Sequence, residues 1–388
     1  MSKTTALPNG SSTARGTSSR YAIKATAFAA LAATLSFGLQ IAQAQPAPAP
    51  PMAPMAPAAA PAMPAKPAAD MQMVLDAQAS LKPKPIETLS ATEARKQPSV
   101  ADGVTKVLKT TNQPTKPQVL VPGVRSKDMM IQGAAGQIPA RVYVPDGRGP
   151  FPVIVYYHGG GWVIADKQTY DGGARGLSKN AQAVVVSVDY RRAPEAKFPA
   201  QWDDALAAYR WTAAHAAEFK GDPSRLALAG ESAGGNLAVA TAIAARDAGL
   251  PKPVHVLSVY PVAQTSTDTP SYNTYADAKP LNRPMVQWFV KNLTNSPADL
   301  KDPRLQLVDA NLAGLPPVTI INAEIDPLLD DGAQLASALA KAGVPVERKV
   351  YDGATHEFFG TAAVTQTGRD AQAFAGQRLK AAFGTTAK

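Results

Sequence analysis

From residue 152 to residue 383 the sequence alternates between two kinds of segment, and that alternation leaves few folds open. Residues 152–157 are almost wholly apolar and β-branched or aromatic, as a strand buried on both faces should be. Residues 183–188, 226–229, 254–260, 318–323 and 346–351 read as further strands. Helical patterns stand among them at 199–214, 235–248, 334–342 and 369–383. Strand and helix in turn imply a mostly parallel central sheet with helices on both faces. Two more strands, 128–131 and 138–144, precede the alternation, the second ending in the turn Pro145-Asp146-Gly147. Residues 262–300 interrupt it with a long insertion that holds a helix-like run at 284–293. No internal repeat is present.

Composition narrows the chemistry. Of 388 residues 45% are hydrophobic, enough for a full core, and none is cysteine. Disulfides, thiolate nucleophiles, iron–sulfur ligation and cysteine zinc sites are therefore excluded. The formal charge of +9 includes Lys3, Arg15, Arg20 and Lys24, which lie ahead of residue 45 with no acidic partner. The remainder is only modestly basic, and no Lys/Arg run with interleaved aromatics points to nucleic acid.

The first 44 residues read as a secretory signal. A basic, Ser/Thr-rich leader ends near Lys24, an apolar stretch follows at 25–41, and Ala42-Gln43-Ala44 offers a small-x-small cleavage pattern. The expectation is an exported protein, periplasmic or secreted, cleaved near Ala44 and left without a stable membrane span. A retained anchor is the alternative. Residues 45–69 hold nine prolines and eleven alanines with Lys66 as their single charge, the composition of an extended spacer. From 70 to about 116 the pattern is weakly helical and broken by prolines at 83, 85, 98, 114 and 117.

One stretch carries chemistry. Gly230-Glu231-Ser232-Ala233-Gly234 stands between a strand pattern and a helix pattern, the layout of a nucleophile elbow. A serine at such an apex needs small neighbours, because strand and helix crowd the turn. The helix that follows directs its N-terminus at the site, where free N–H groups favour developing negative charge. A serine nucleophile needs a base, and the base an orienting carboxylate. Among the four histidines, His215 ends an alanine-rich helix pattern as a solvated residue, His255 alternates inside a strand pattern, and His158 opens a glycine loop. His356 lies just past the last strand pattern, at the carboxyl edge of the sheet, and is the expected base. Asp326, three residues past the strand pattern 318–323 and followed by Pro327, is the expected acid, with Glu324 its nearest rival. Asp330 and Asp331 read as helix N-terminal residues whose charge the helix dipole favours. Gly159-Gly160-Gly161 leaves backbone N–H groups unobstructed after a buried strand. With the N–H of Ala233, those of Gly160 and Gly161 form the expected oxyanion hole, each donor worth roughly 3–4 kcal/mol in the transition state.

At these residues the chain resembles the hormone-sensitive-lipase family of esterases within the α/β-hydrolase fold. The resemblance runs from about residue 141 to 383. It rests on His158-Gly159-Gly160-Gly161-Trp162, Gly230 to Gly235, Asp326-Pro327-Leu328, His356-Glu357-Phe358, Asp189 to Glu195 and Phe198-Pro199-Ala200. It implies a serine carboxylesterase acting on short- to medium-chain acyl esters through an acyl-enzyme, with no cofactor and no metal. It also implies a helical cap, expected from 70–125 and 262–300, on a hydrolase domain spanning 70–388. A small-molecule ester is the expected partner, and oligomeric state stays open. Lactone, amide or polyester hydrolysis by the same triad, or a non-catalytic ligand-binding relative, are the alternatives. Arg192 and Gln306-Leu307 depart from the family pattern and leave pocket shape open.

Overall fold

The computed structural model describes residues 65–385. The expected signal at 1–44 and most of the Pro/Ala-rich spacer lie outside the described residues. Four helices come first: α1 (Ala69–Ala79), α2 (Ala91–Ala94), α3 (Val100–Thr110) and α4 (Pro117–Leu120). The hairpin β1 (Val124–Gly133) and β2 (Gly136–Pro145) follows. The alternating part then runs β3 (Phe151–Tyr157), α5 (Asp171–Ala181), β4 (Val184–Val188), α6 (Ala200–His215), β5 (Gly221–Glu231), α7 (Ala233–Asp247) and β6 (His255–Val259). After the insertion helices α8 (Pro270–Thr274) and α9 (Arg283–Leu293) come β7 (Val318–Ile325), α10 (Leu329–Lys341), β8 (Val346–Thr355) and α11 (Gln366–Ala382).

The eight strands form one sheet in the order β1-β2-β4-β3-β5-β6-β7-β8. Only the β1/β2 and β2/β4 pairs are antiparallel, and β4 through β8 pair in parallel. From β3 the chain goes to β4 on one side and returns to β5 on the other. That reversal opens a crevice at the carboxyl ends of β3 and β5, the place where open α/β sheets receive ligands. Tyr157 pairs with Gly230 there, so the glycine loop after β3 and the serine turn after β5 leave the sheet at one level.

The period-2 alternation of the strands divides the core into two layers. Val153, Val155 and Tyr157 pack with Trp202 of α6, Leu237 of α7 and Leu335 of α10. Ile154 and Tyr156 pack on the other face with Leu177 of α5 and Leu379 of α11, where Met71 of α1 and Val104 of α3 join them. Both faces are thus closed by helices, as a mostly parallel sheet requires. Among the described residues no helix is long and apolar enough to cross a membrane.

Three local features differ from the pattern read in the sequence. A helix, α5, fills the stretch between the glycine loop and β4. Strand β8 continues to Thr355, so His356 leaves directly from a strand end rather than from a loop. Helix α7 starts at Ala233, immediately after the serine.

Candidate active site

Ser232 sits at the strand–helix turn with φ 57° and ψ −119°, a conformation L-residues rarely adopt. The turn is held by crowding. A Cβ on Gly230 would lie 2.1 Å from the Gly234 carbonyl oxygen, and one on Gly234 2.0 Å from that of Tyr157. The Ser232 N–H donates to the Val259 carbonyl at 2.8 Å, tying the apex to β6.

The three residues expected to act together are together. The imidazole Nε2 of His356 lies 3.0 Å from Ser232 Oγ, and its Nδ1 lies 2.7 Å from Asp326 Oδ2. A carboxylate only accepts, so Nδ1 carries the proton and donates to Asp326, which leaves the Nε2 lone pair facing the serine hydroxyl. The other Asp326 oxygen accepts the Leu328 N–H at 2.9 Å. Burial pulls the His356 pKa down, but the charge and hydrogen bond of Asp326, with Glu357 and Glu231 nearby, more than offset it. The net shift is upward from 6.5.

The rivals have other work. Glu324 accepts the Gly353 N–H at 2.7 Å and braces the end of β8. His255 is buried between strands with Nε2 2.9 Å from Thr319 Oγ1, and burial lowers its pKa to about 4. His158 is buried, stacked on Tyr190 with ring centroids 4.3 Å apart, and its Nδ1 lies 2.8 Å from the Gly159 oxygen, so it shapes the loop. His215 differs from expectation. It is half-buried, stacks on Trp211 at 4.6 Å, and has its Nδ1 2.7 Å from the Trp211 carbonyl oxygen. Asp331 differs too: it is wholly buried, and burial raises its pKa to about 8, outweighing the hydrogen bonds it accepts from Ala263 and Gln264. Its Oδ1 accepts the N–H groups of Ala263 and Gln264 and so anchors the start of the insertion to α10.

Gly161 lines one small space with Ser232, and Ala233 follows Ser232 in the chain. Among the described residues no backbone carbonyl takes the N–H of Gly160, Gly161 or Ala233. Gly161 has φ +58°, and a Cβ there would lie 2.2 Å from the ring of Phe289 in α9. The insertion therefore lies directly on the glycine loop. The N-terminal segment reaches the same loop through Arg95, whose Nε donates to the Val163 carbonyl at 2.8 Å and whose Nη2 donates to that of Ala193 at 2.7 Å. Both its Nη atoms also bind the Glu195 carboxylate as an ion pair. Trp288 Nε1 donates to the Leu89 carbonyl at 3.2 Å and joins the two outlying segments to each other. Both departures from the family pattern are braces: Arg192 donates to the Ala165 carbonyl, and Gln306 Oε1 accepts the hydroxyl of Thr265 at 3.0 Å.

One functional neighbour escaped the sequence reading. Glu231, adjacent to the serine, is buried and takes hydrogen bonds from the Tyr156 and Tyr260 hydroxyls. Burial raises its pKa to about 7 although both hydroxyls oppose the shift. The Tyr260 ring in turn lies against the His356 imidazole, centroids 4.6 Å apart. The signal was available: a carboxylate inside an otherwise apolar turn, with tyrosines at the matching ends of the two neighbouring strands. Glu357, next to His356, is half-buried, has its pKa shifted upward by desolvation, and accepts the Tyr170 hydroxyl at 3.0 Å.

A family model described as the alpha/beta hydrolase fold matches residues 154–360. The carboxylesterase NlhH of Mycobacterium tuberculosis is 44% identical over 256 residues, which cover 64% of this chain and 80% of that protein. The esterase LipI of the same organism is 38% identical over 305 residues, 76% of this chain and 93% of its own. Among solved structures, a hyperthermophilic esterase from Pyrobaculum calidifontis superposes with a TM-score of 0.72 at 33% identity, covering 82% of this chain and 99% of that one.

Proposed function

Since the chain belongs to the α/β-hydrolase family, in its hormone-sensitive-lipase branch, and is a carboxylic ester hydrolase, we propose that Ser232 is its nucleophile. His356 is the base and Asp326 orients it. The observation that carries this reading is the continuous chain of hydrogen-bond distances, 3.0 Å from Ser232 to His356 and 2.7 Å from His356 to Asp326.

The chemistry runs in two halves. Ser232 Oγ attacks the ester carbonyl carbon while its proton passes to His356 Nε2, and the carbonyl oxygen becomes an oxyanion facing the N–H groups of Gly160, Gly161 and Ala233. As the C–O bond to the alcohol breaks, His356 returns that proton to the departing oxygen and an acyl-enzyme remains. Water, deprotonated by the same imidazole, then releases the acid and restores the serine. Asp326 holds the tautomer that leaves Nε2 free to accept. The acyl groups are short to medium in length, with α9 and the N-terminal segment as the cap that shapes the pocket. Export with cleavage near Ala44 belongs to the same proposal and is carried by the leader pattern.

Ser232→Ala and His356→Ala test the assignment. Each should lower ester turnover by roughly 10⁴–10⁶-fold with the fold intact, and Asp326→Asn somewhat less. A small serine-directed phosphonate should label Ser232 alone. Wild-type turnover in Ser232→Ala would end the proposal.

A further inference from the structure

We propose that Glu231 and Tyr260 are positioning residues for the base: the Glu231 carboxyl holds the Tyr260 hydroxyl, and the tyrosine ring so held keeps the His356 imidazole turned toward Ser232. The inference rests on the serine-esterase reading and adds two side chains to it.

The imidazole is hydrogen-bonded at two atoms only, both in the plane of its ring. Nδ1 meets Asp326, and Nε2 faces Ser232 Oγ. The torsion that turns a histidine ring has broad preferences of its own, so the ring plane is set by what packs on it. Tyr260 packs there, its ring centroid 4.6 Å from that of the imidazole and its plane inclined by 49°. The same tyrosine reaches Phe358, two residues beyond His356, at 5.9 Å. All three rings are buried.

Tyr260 is itself held from the serine turn. It follows β6 with φ +33°, a conformation that a bulky L-residue keeps only where its surroundings over-determine it. Its N–H donates to the Ile321 carbonyl of β7. Val259, the residue before it, accepts the Ser232 N–H at 2.8 Å. Its hydroxyl bonds Glu231, the residue before Ser232. Nucleophile and base are thus joined twice, through the backbone from Ser232 to Val259 and through side chains from Glu231 by way of Tyr260 to His356.

Glu231 is fixed in turn by the Tyr156 hydroxyl of β3 on its other oxygen. It has room because position 173 of α5 is glycine: a Cβ there would lie 2.1 Å from Glu231 Oε1 and 2.9 Å from the Tyr156 hydroxyl. An aliphatic side chain would fill that space without the desolvation a buried carboxyl suffers. What the carboxyl adds is a grip on two tyrosines. It bonds a hydroxyl by accepting or, when protonated, by donating, so the tether outlasts the titration of Glu231.

Steady-state kinetics of the purified protein on ethyl butyrate test this. Tyr260→Phe removes the hydroxyl and leaves the ring, and Glu231→Leu removes the carboxyl. Each should lower kcat about tenfold with KM within about twofold of wild type, short of the roughly 10²-fold that misplacement by a full ångström costs. Because both cut one link, the double variant should also lose about tenfold, whereas independent roles would multiply to about a hundredfold. Glu231→Gln can still bond a tyrosine hydroxyl and should turn over at least about threefold faster than Glu231→Leu. Wild-type kcat in folded Tyr260→Phe overturns the inference. So does a loss carried by KM alone, a multiplied loss in the double variant, or a glutamine variant no faster than the leucine one. Circular dichroism reports the fold of each variant, and if Glu231→Leu does not fold, Tyr260→Phe still decides. Labelling of wild-type Ser232 by a methyl phosphonate reads the underlying triad separately: an unlabelled serine removes the esterase reading itself, whereas a labelled serine with wild-type kcat in Tyr260→Phe removes only the inference.

Discussion

Replacing Glu231 with glutamine should make the protein's stability depend less on pH, by an amount the structure allows to be worked out. The carboxyl is wholly buried, and burial raises its pKa from the ordinary 4.5 to about 7. Between those values the unfolded chain has released the proton and the folded chain has not. The folded state then binds more protons, so stability falls as pH rises from 4.5 to 7, and above 7 the full cost is in place. At 1.36 kcal/mol per pKa unit that cost is about 3 kcal/mol. Glutamine keeps the size and hydrogen-bonding reach of the side chain but never ionises, and a tyrosine hydroxyl can turn to accept from its amide. Urea unfolding of wild type and Glu231→Gln at pH 5 and pH 8 gives four stabilities, and the difference of differences removes the contribution of Asp331, which both proteins share, and reports Glu231 together with its coupling to Glu357. It should favour the variant at the higher pH by about 2–3 kcal/mol. A difference constant within about 0.5 kcal/mol across that range would refute the argument that Glu231 is held protonated by its burial.

Two further outcomes are expected. Because the net shift of His356 is upward from 6.5, the neutral imidazole that accepts the serine proton is lost as pH falls through a value above 6.5, and kcat/KM should decline there. An acid limb centred below about 6 would contradict the geometry at Asp326. Gly161→Ala should cost turnover on the order of 10²-fold, because its Cβ meets the Phe289 ring and would displace a proposed oxyanion donor. Phosphonate labelling and circular dichroism of that variant would show whether the loss lies in the site or in the fold.

The sheet and the candidate triad were legible because their signals are local. Buried parallel strands read as apolar runs; Ser232 and Asp326 each stand three residues past such a run, and His356 five residues past the strand pattern 346–351. Helix α5 was not legible, since Gly172, Gly173 and Gly176 weaken any helical pattern. The structure gives their reason: a Cβ on Gly173 would lie 2.1 Å from Glu231 Oε1, and one on Gly176 1.9 Å from Gln372 Oε1. Close packing won over propensity there. Asp331 was misjudged for a similar cause, because a helix N-terminus looks the same in sequence whether it faces water or the core. Arg95 gave no sign at all, as its three acceptors lie 68 to 100 residues away in the chain.

The glycine loop is clamped from outside the sheet, by Arg95 on Val163 and by Phe289 on Gly161, while Trp288 on Leu89 ties the two clamping segments together. None of these contacts contributes to the eight-stranded ladder. Inactivation and unfolding are therefore separable events. A fluctuation that lifts α9 would free the proposed oxyanion donors while the strands stay paired, and such partial openings cost less than global unfolding. Activity should then be lost on warming before circular dichroism reports a melted core, and an activity loss that coincides with the loss of secondary structure would refute the separation.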